Sequence, residues 1–476
     1  QGSRNRPFPP KKIKITTTMR KKRLTMWLGL ALAGLTATAQ QPQDTLKYRI
    51  SLTDKAATTY SIDKPEEFLS AKSIARRQRQ GLPIDSTDLP VCKKYVDELR
   101  QTGAHIVLTG KWENFVTVSL SDPQVLARIE KLPFVGKVEE VWVMPHKKPT
   151  EAKRDTLKEH ITLCGADSLY GKATAQIQMS HGDRLHQAGF KGEGMTIGVI
   201  DAGYHNADRI SSMQNIRVLG TKDFVAPDGD IYAEHSHGMM VLSCMAMNKP
   251  RYMVGTAPEA SYWLLRSEDG ASEQPVEEDY WAAAVEYADS VGVDLINTSL
   301  GYFVYDDKSK SYKYCQLDGR TSLMTRQAAR AADKGIVLVC AAGNEGDGTW
   351  KKITPPADAD NVLTVGAIDK NGTLALFSSL GNTADGRIKP DVVAVGHQST
   401  VMNTDGNLHH ANGTSFASPT MCGMVACLWQ ALPHLTAKQI IELVRRSGDR
   451  ADCPDNVYGY GVPDLWKAYQ EAKGNQ

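Results

Sequence analysis

The sequence predicts an α/β protein: a mostly parallel sheet with helices on both faces, preceded by a smaller α+β domain. Three observations carry this. The chain has 476 residues, room for two or three domains at about 100–200 residues each. From about residue 165 onward, short β-rich apolar runs alternate with segments of helical spacing, the mark of strands buried on both faces of a sheet. Between residues 44 and 148 the order is strand, helix, helix, strand, strand, helix, strand. Apart from one extra helix this is a split βαβ, ferredoxin-like unit. With 41% hydrophobic and 23% charged residues, disordered, collagen-like and multi-span membrane classes are excluded.

The chain opens with a leader, residues 1–39, holding nine Lys or Arg and no acidic residue. Within it Met19-Arg-Lys-Lys-Arg23 precedes an uncharged, mostly apolar run, Leu24 to Ala39, that ends Ala37-Thr38-Ala39. A basic start, a short apolar stretch and a small-x-small exit predict a signal peptide over 19–39. The alternative, a membrane anchor, needs about 20 apolar residues, more than this run supplies. An exported product, periplasmic or secreted and without a stable membrane anchor, is expected.

The first folded region is placed at 40–148. Its strands are YRISL (48–52), HIVLTG (105–110), FVTVSL (115–120) and VEEVWVM (138–144); its helices are 65–78, 93–103 and 123–130. It closes at Lys147-Lys148-Pro149, and the polar stretch Thr150 to His160 reads as a linker. The second region is placed at 165–476. Its apolar runs are MTIGVID (195–201), SYWLL (261–265), VDLINTSL (293–300), IVLVCAAG (336–343), VLTVGAI (362–368) and VVAVG (392–396). Basic and acidic residues number 17 and 14 over 40–148, but 30 and 40 over 149–476. The net charge of +2 thus rests on the leader, and the second region is acidic, which excludes nucleic acid as a main partner. The eight cysteines show no CxxC pair and no metal-ligand spacing; Cys340, Cys422 and Cys427 fall in apolar stretches and are expected to be buried thiols.

In such sheets chemistry gathers at the carboxyl ends of the strands. Asp201 closes MTIGVID; alone it also reads as a turn residue before Ala202-Gly203. His237-Gly238 opens the apolar segment HGMMVLSCMAM, with His235 as a competitor two residues earlier. Ser415 stands in GTSFASP at the head of the apolar segment TMCGMVACLWQAL, where a capping role is the alternative. A serine hydroxyl needs an imidazole to take its proton, and the imidazole needs a carboxylate to fix its tautomer. The chain order Asp201, His237, Ser415 separates this arrangement from the two other familiar orders of the same three groups. Asn344, ending AAGN after IVLVC, can supply an oxyanion donor beside the Ser415 backbone N–H.

On the motifs IDAG, HGMMV, NTSLG, AAGNEG and GTSFASP, with GTAPEA at 255–260, the sequence resembles the subtilase family of serine endopeptidases over about residues 165–465. The resemblance implies a subtilisin-like parallel sheet, Asp201, His237 and Ser415 as the catalytic groups, and Asn344 as the oxyanion residue. It also implies that Ser299-Leu300-Gly301 and Ala341-Ala342-Gly343 form the two edges of the substrate cleft, pairing with the peptide as an added strand. His235 gives way to His237, since the family's histidine is followed by Gly. Region 40–148 resembles the family's inhibitory propeptide, which implies a zymogen whose cleft is filled by the segment near Met144–Lys148.

There are departures from the family pattern. Ala202 stands for the usual Ser or Thr, Met239-Met240 for Thr-His, and Tyr302 for a Gly that many relatives have. The loop Met247–Tyr252 is basic and poor in oxygen ligands, so no calcium site is expected there, and no metal or cofactor is expected elsewhere. Protein or peptide substrates, the chain's own propeptide as inhibitor, and a monomer are expected. A non-catalytic binding module and an esterase or ligase on the same site stay open as alternatives. Glu345 at the cleft rim reads equally as a basic-residue selector and as a solvated loop carboxylate; His409 and His410 read as solvated loop residues.

Overall fold

The computed structural model describes residues 46–145 and 153–474. The leader (1–39) with its signal peptide (19–39), and the Lys147-Lys148 junction, lie outside the described residues. The first region contains β1 (Leu46–Leu52), α1 (Ala71–Arg79), α2 (Lys93–Gln101), β2 (His105–Gly110), β3 (Phe115–Leu120), α3 (Pro123–Ile129) and β4 (Val135–Val143). The strands form an antiparallel sheet in the order β2-β3-β1-β4. Side chains alternate across it. Ile50, Leu52, Val116, Val118 and Leu120 face Val96 and Leu99 of α2 and Val125 and Ile129 of α3. The other face carries Lys47, Arg49 and Thr117, which meet the second region.

That region begins with α4 (Thr174–Gln178), α5 (Gly182–Gln187), β5 (Thr196–Asp201), β6 (Arg217–Asp223), α6 (His237–Ala246), β7 (Asn248–Lys249), β8 (Met253–Val254) and β9 (Ser261–Arg266). There follow α7 (Val276–Val291), β10 (Leu295–Thr298), α8 (Leu323–Asp333), β11 (Val337–Ala341), β12 (Leu363–Ile368) and β13 (Val392–Val395). Then come β14 (Ser399–Met402), β15 (Leu408–Ala411), α9 (Thr414–Ala431), α10 (Ala437–Arg446) and α11 (Leu465–Gly474). Seven strands pair in the order β13-β12-β11-β10-β5-β9-β6, every pair parallel. The pleat divides them between two cores. Ile197, Val199, Val337 and Val339 pack with α6 and α9, whereas Ile200, Ile296, Leu338 and Cys340 pack with α7 and α8.

All six apolar runs of the second region are strands of this sheet. The seventh, β6, has no such run because it is an edge strand: six of its seven residues are exposed or half-buried, so burial imposes no apolar pattern on it. Among the described residues no helix is long and apolar enough to cross a membrane. Cys340, Cys422 and Cys427 are buried, and burial pushes the Cys340 thiol up to about 12.

Residues 44–476 form one compact unit, and the contact between its two regions is ionic and buried. On α7, Asp279 accepts from Arg49 Nε at 2.6 Å and from Thr117 Oγ1 at 2.7 Å. Glu286 takes the backbone N–H groups of Lys111 and Trp112 at 2.6 and 2.9 Å. Asp289, fully buried, binds Arg76 at 2.5 Å and Arg77 at 2.9 Å. The helix in excess of the ferredoxin-like order, α1, supplies both arginines. Its next residue, Gln80, donates to Gly335 O and accepts from Ala437 N, each at 2.8 Å.

Candidate active site

Parallel pairing brings the carboxyl ends of β5, β10 and β11 to one edge of the sheet, and the amino ends of α6 and α9 meet there. Asp201 is the last residue of β5 and is fully buried. His237 is the first residue of α6, and its Nδ1 lies 2.7 Å from Asp201 Oδ1. A carboxylate only accepts, so Nδ1 carries the proton and Nε2 is left basic. Gly238 permits this approach: a Cβ there would stand 2.5 Å from Gly203 O and 2.8 Å from Asp201 Cβ.

Asp201 Oδ1 also takes the Ala202 N–H at 2.8 Å, while Oδ2 is buried without a hydrogen-bond partner. Ala202, the next residue, has no side-chain hydroxyl to offer it. Burial works against the His237 imidazolium, but the charge and hydrogen bond of Asp201, with Glu268 behind them, raise its pKa above the ordinary value.

Ser415 is the second residue of α9 and is 7% exposed. Its Oγ donates to Ser299 O at 3.4 Å, and Ser299 Oγ donates to Ser415 O at 2.9 Å. Ser418 Oγ reaches Asn297 Oδ1 at 2.8 Å, so the head of α9 is tied to the end of β10. Asn344 follows β11. Its Oδ1 accepts from Thr414 N at 2.8 Å and Thr414 Oγ1 at 3.0 Å. With the oxygen so occupied, the amide N–H groups are the end left for a ligand.

His237, Ser415 and Asn344 line one cleft with Ser299, Leu300, Gly301, Ala341 and Gly343. Asp201 stands behind His237 rather than in the cleft wall. Ala342 is also outside the wall: it is fully buried in the core on the α7 side, and its N–H and C=O bond to Val365 O and Thr354 N. His235 does reach the cleft, yet its Nδ1 accepts the His237 backbone N–H at 3.2 Å and bonds no carboxylate. Burial, then the neighbouring His237, hold its pKa below the ordinary value.

The structure adds residues that the sequence reading did not select. Glu268, just past β9, and Glu273, in the loop before α7, both line the cleft. Burial first, then the Asp201 charge, push Glu268 up to about 7, against the pull of His237 and Arg266. Burial, then Glu268 and Asp306, bring Glu273 up to about 7 as well. Tyr302 lines the cleft and is 2% exposed. Among the described residues no group of three or more His, Cys, Asp or Glu is arranged to hold a metal ion.

Comparison with known proteins places the chain in a family. Residues 192–461 match the subtilase family, and residues 47–158 match the peptidase S8 propeptide domain of Bacteroidota. Subtilisin DY of Bacillus licheniformis is 30% identical over 301 residues, covering 62% of this chain and 97% of that protein. Subtilisin E of Bacillus subtilis is 28% identical over 352 residues, 73% of this chain and 78% of that one. In fold, the structure of the epidermin leader peptide processing serine protease (EpiP) of Staphylococcus aureus superposes with a TM-score of 0.61 at 16% identity. That match covers 91% of this chain and 99% of the other. With its parallel seven-stranded sheet and antiparallel α+β domain in front, the chain belongs to the subtilase family, as a subtilisin-like serine endopeptidase with an N-terminal propeptide domain.

Proposed function

We propose that Ser415 is the nucleophile of this peptidase, His237 its general base and acid, Asp201 the carboxylate that orients His237, and Asn344 an oxyanion donor. The observation that carries the reading is the 2.7 Å Asp201–His237 bond set behind a cleft shared by His237, Ser415 and Asn344. Ser415 Oγ turns from Ser299 O to His237 Nε2, gives up its proton there and attacks the peptide carbonyl carbon. The negative charge on the carbonyl oxygen is met by the Asn344 amide and the Ser415 N–H at the head of α9. His237 then passes the proton to the leaving amine, and water, activated by the same imidazole, hydrolyses the acyl-enzyme. Ser299-Leu300-Gly301 and Ala341-Ala342-Gly343 hold the substrate as an added strand, with Ala342 acting as support from the core.

The chain divides in this reading into a leader (1–39), a propeptide (40–148) and a peptidase region (165–476), exported as a zymogen and acting as a monomer. A cut ahead of Arg154 is supported by the segment that follows. Arg154 pairs with Asp208 at 2.9 Å and Asp230 at 2.5 Å. Lys158 N and Cys164 N donate to Asp405 O and Arg251 O at 2.8 and 2.7 Å, contacts that support keeping these residues with the peptidase.

The test is expression of the wild type beside Ser415→Ala, with a fluorophosphonate probe and N-terminal sequencing. Labelling at Ser415 and self-processing between residues 145 and 154, both lost in the variant, are expected. A processed wild type that takes no label would overturn the assignment.

A further inference from the structure

Three carboxylates, Glu268, Glu273 and Glu345, line the cleft, and among the described residues no Lys or Arg does. No described residue gives the side chains of Glu268 or Glu273 a hydrogen bond or an ion pair. The nearest arginine is spent: Arg266 binds Asp223 at 2.9 Å, Glu234 at 3.3 Å and Ala202 O at 3.2 Å. Glu268 feels Asp201, His237, Arg266 and Asp269, and Glu273 feels Glu268 and Asp306, so the balance of charge around the pair is negative. A second feature lines the same cleft. Tyr302 Oη is buried without a hydrogen-bond partner in a residue 2% exposed, and its electrostatic neighbours are Glu277, Glu268, Glu273 and Asp201.

Half-buried carboxylates crowded by like charge, and a buried hydroxyl without a partner, are costly unless something compensates them. A lysine ammonium brings three donors and a positive charge and a guanidinium five; either satisfies two carboxylates and a phenol oxygen together. Val143, at the end of β4, exchanges hydrogen bonds with the Gln274 side chain at 2.7 and 2.9 Å, next to Glu273. The sequence then runs Met144-Pro145-His146-Lys147-Lys148.

We propose that Glu268, Glu273 and Tyr302 Oη form a subsite for a cationic side chain of the substrate, so that this peptidase selects Lys or Arg on the acyl side of the scissile bond. The position assigned to it is P2. In an extended peptide successive side chains point to opposite sides; with P1 between the two cleft edges, P2 turns towards His237, where Glu268 stands. The inference rests on the catalytic reading above and adds the substrate class to it.

The experiment compares fluorogenic peptides identical but for Lys, Arg or norleucine at P2, using the processed enzyme with active sites titrated by fluorophosphonate. At pH 8 the wild type is expected to favour the cationic peptides in kcat/KM by about tenfold or more. All three peptides depend on His237 alike, so the ratio isolates the subsite. In Glu268→Gln/Glu273→Gln the ratio is expected to fall towards one, and Glu268→Lys is expected to favour Glu at P2. A wild type that labels and cleaves but treats Lys and norleucine alike overturns the inference and leaves the catalytic assignment standing. So does a ratio that the double variant does not change. A protein that takes no label overturns both.

Discussion

Asp289→Asn should loosen the propeptide without touching the peptidase. Every side-chain partner of Asp289 comes from the propeptide region: Arg76 at 2.5 Å, Arg77 at 2.9 Å and Lys111 at 3.5 Å. The substitution keeps the shape and removes the charge. Arg77 retains Asp88 through two bonds of 3.1 and 3.0 Å, so its loss is partial. Arg76, 1% exposed, is left with the carbonyls of Val293 and Lys334 at 2.6 and 3.3 Å and the Ser73 hydroxyl at 3.3 Å, neutral acceptors around a buried cation. Removing one partner of a buried pair costs about 3–5 kcal/mol; with one arginine stranded rather than two, the lower end applies. About 3 kcal/mol is roughly two orders of magnitude in Kd. The assay is serial dilution of the self-processed complex, followed by hydrolysis of a fluorogenic peptide. The midpoint at which activity appears should shift to about a hundredfold higher protein concentration, with the kcat/KM of fully released enzyme unchanged. Superimposed dilution curves would refute the reasoning, since they would mean that the buried charge contributes nothing to holding the propeptide.

Three further outcomes are expected. Asn344→Ala should lower kcat by about 10²–10³ with KM little changed, the range known for removing one oxyanion donor from a subtilisin, read from initial rates. The rate should rise with pH through an apparent pKa above the ordinary histidine value, because Asp201 and Glu268 stabilise the inactive imidazolium. Glu268→Gln should move that pKa down in a kcat/KM profile. The sign for stability is opposite: the His237–Asp201 charge pair contributes fully below the unfolded pKa and is lost as pH rises through the raised folded one. Ala202→Ser should supply a donor to the buried Asp201 Oδ2 and stabilise the processed enzyme by about 1 kcal/mol, measured by denaturant unfolding with the active site blocked.

Much of the site was legible because its parts sit where local sequence meets a strand end. Asp201 closes an apolar run, His237 and Ser415 open apolar helices, and each is flanked by a glycine or small residue that close backbone contact demands. Glu268 and Glu273 were not legible in this way. They lie in a polar loop with no motif around them, and only the third dimension brings them into the cleft with Tyr302. The same limit applies to α1, which was readable as a helix while its arginines were not readable as buried; their counter-charge, Asp289, lies more than two hundred positions later. The edge strand β6 escaped detection because its register is fixed by a neighbour and not by a core of its own.

The reach of α1 also bears on how the molecule is assembled. Parallel sheets fold slowly because each pairing closes a long loop before it gains contacts. From one short helix, Arg76 holds Val293 O and Lys334 O, while Gln80 holds Gly335 O and Ala437 N. These are the far end of α7, the far end of α8 and the start of α10. The amino-terminal region, synthesised first, therefore offers a template that gathers three distant stretches at one point. Arg76, which helps hold the propeptide in place, also joins with Gln80 in bringing together the ends of the helices flanking the sheet.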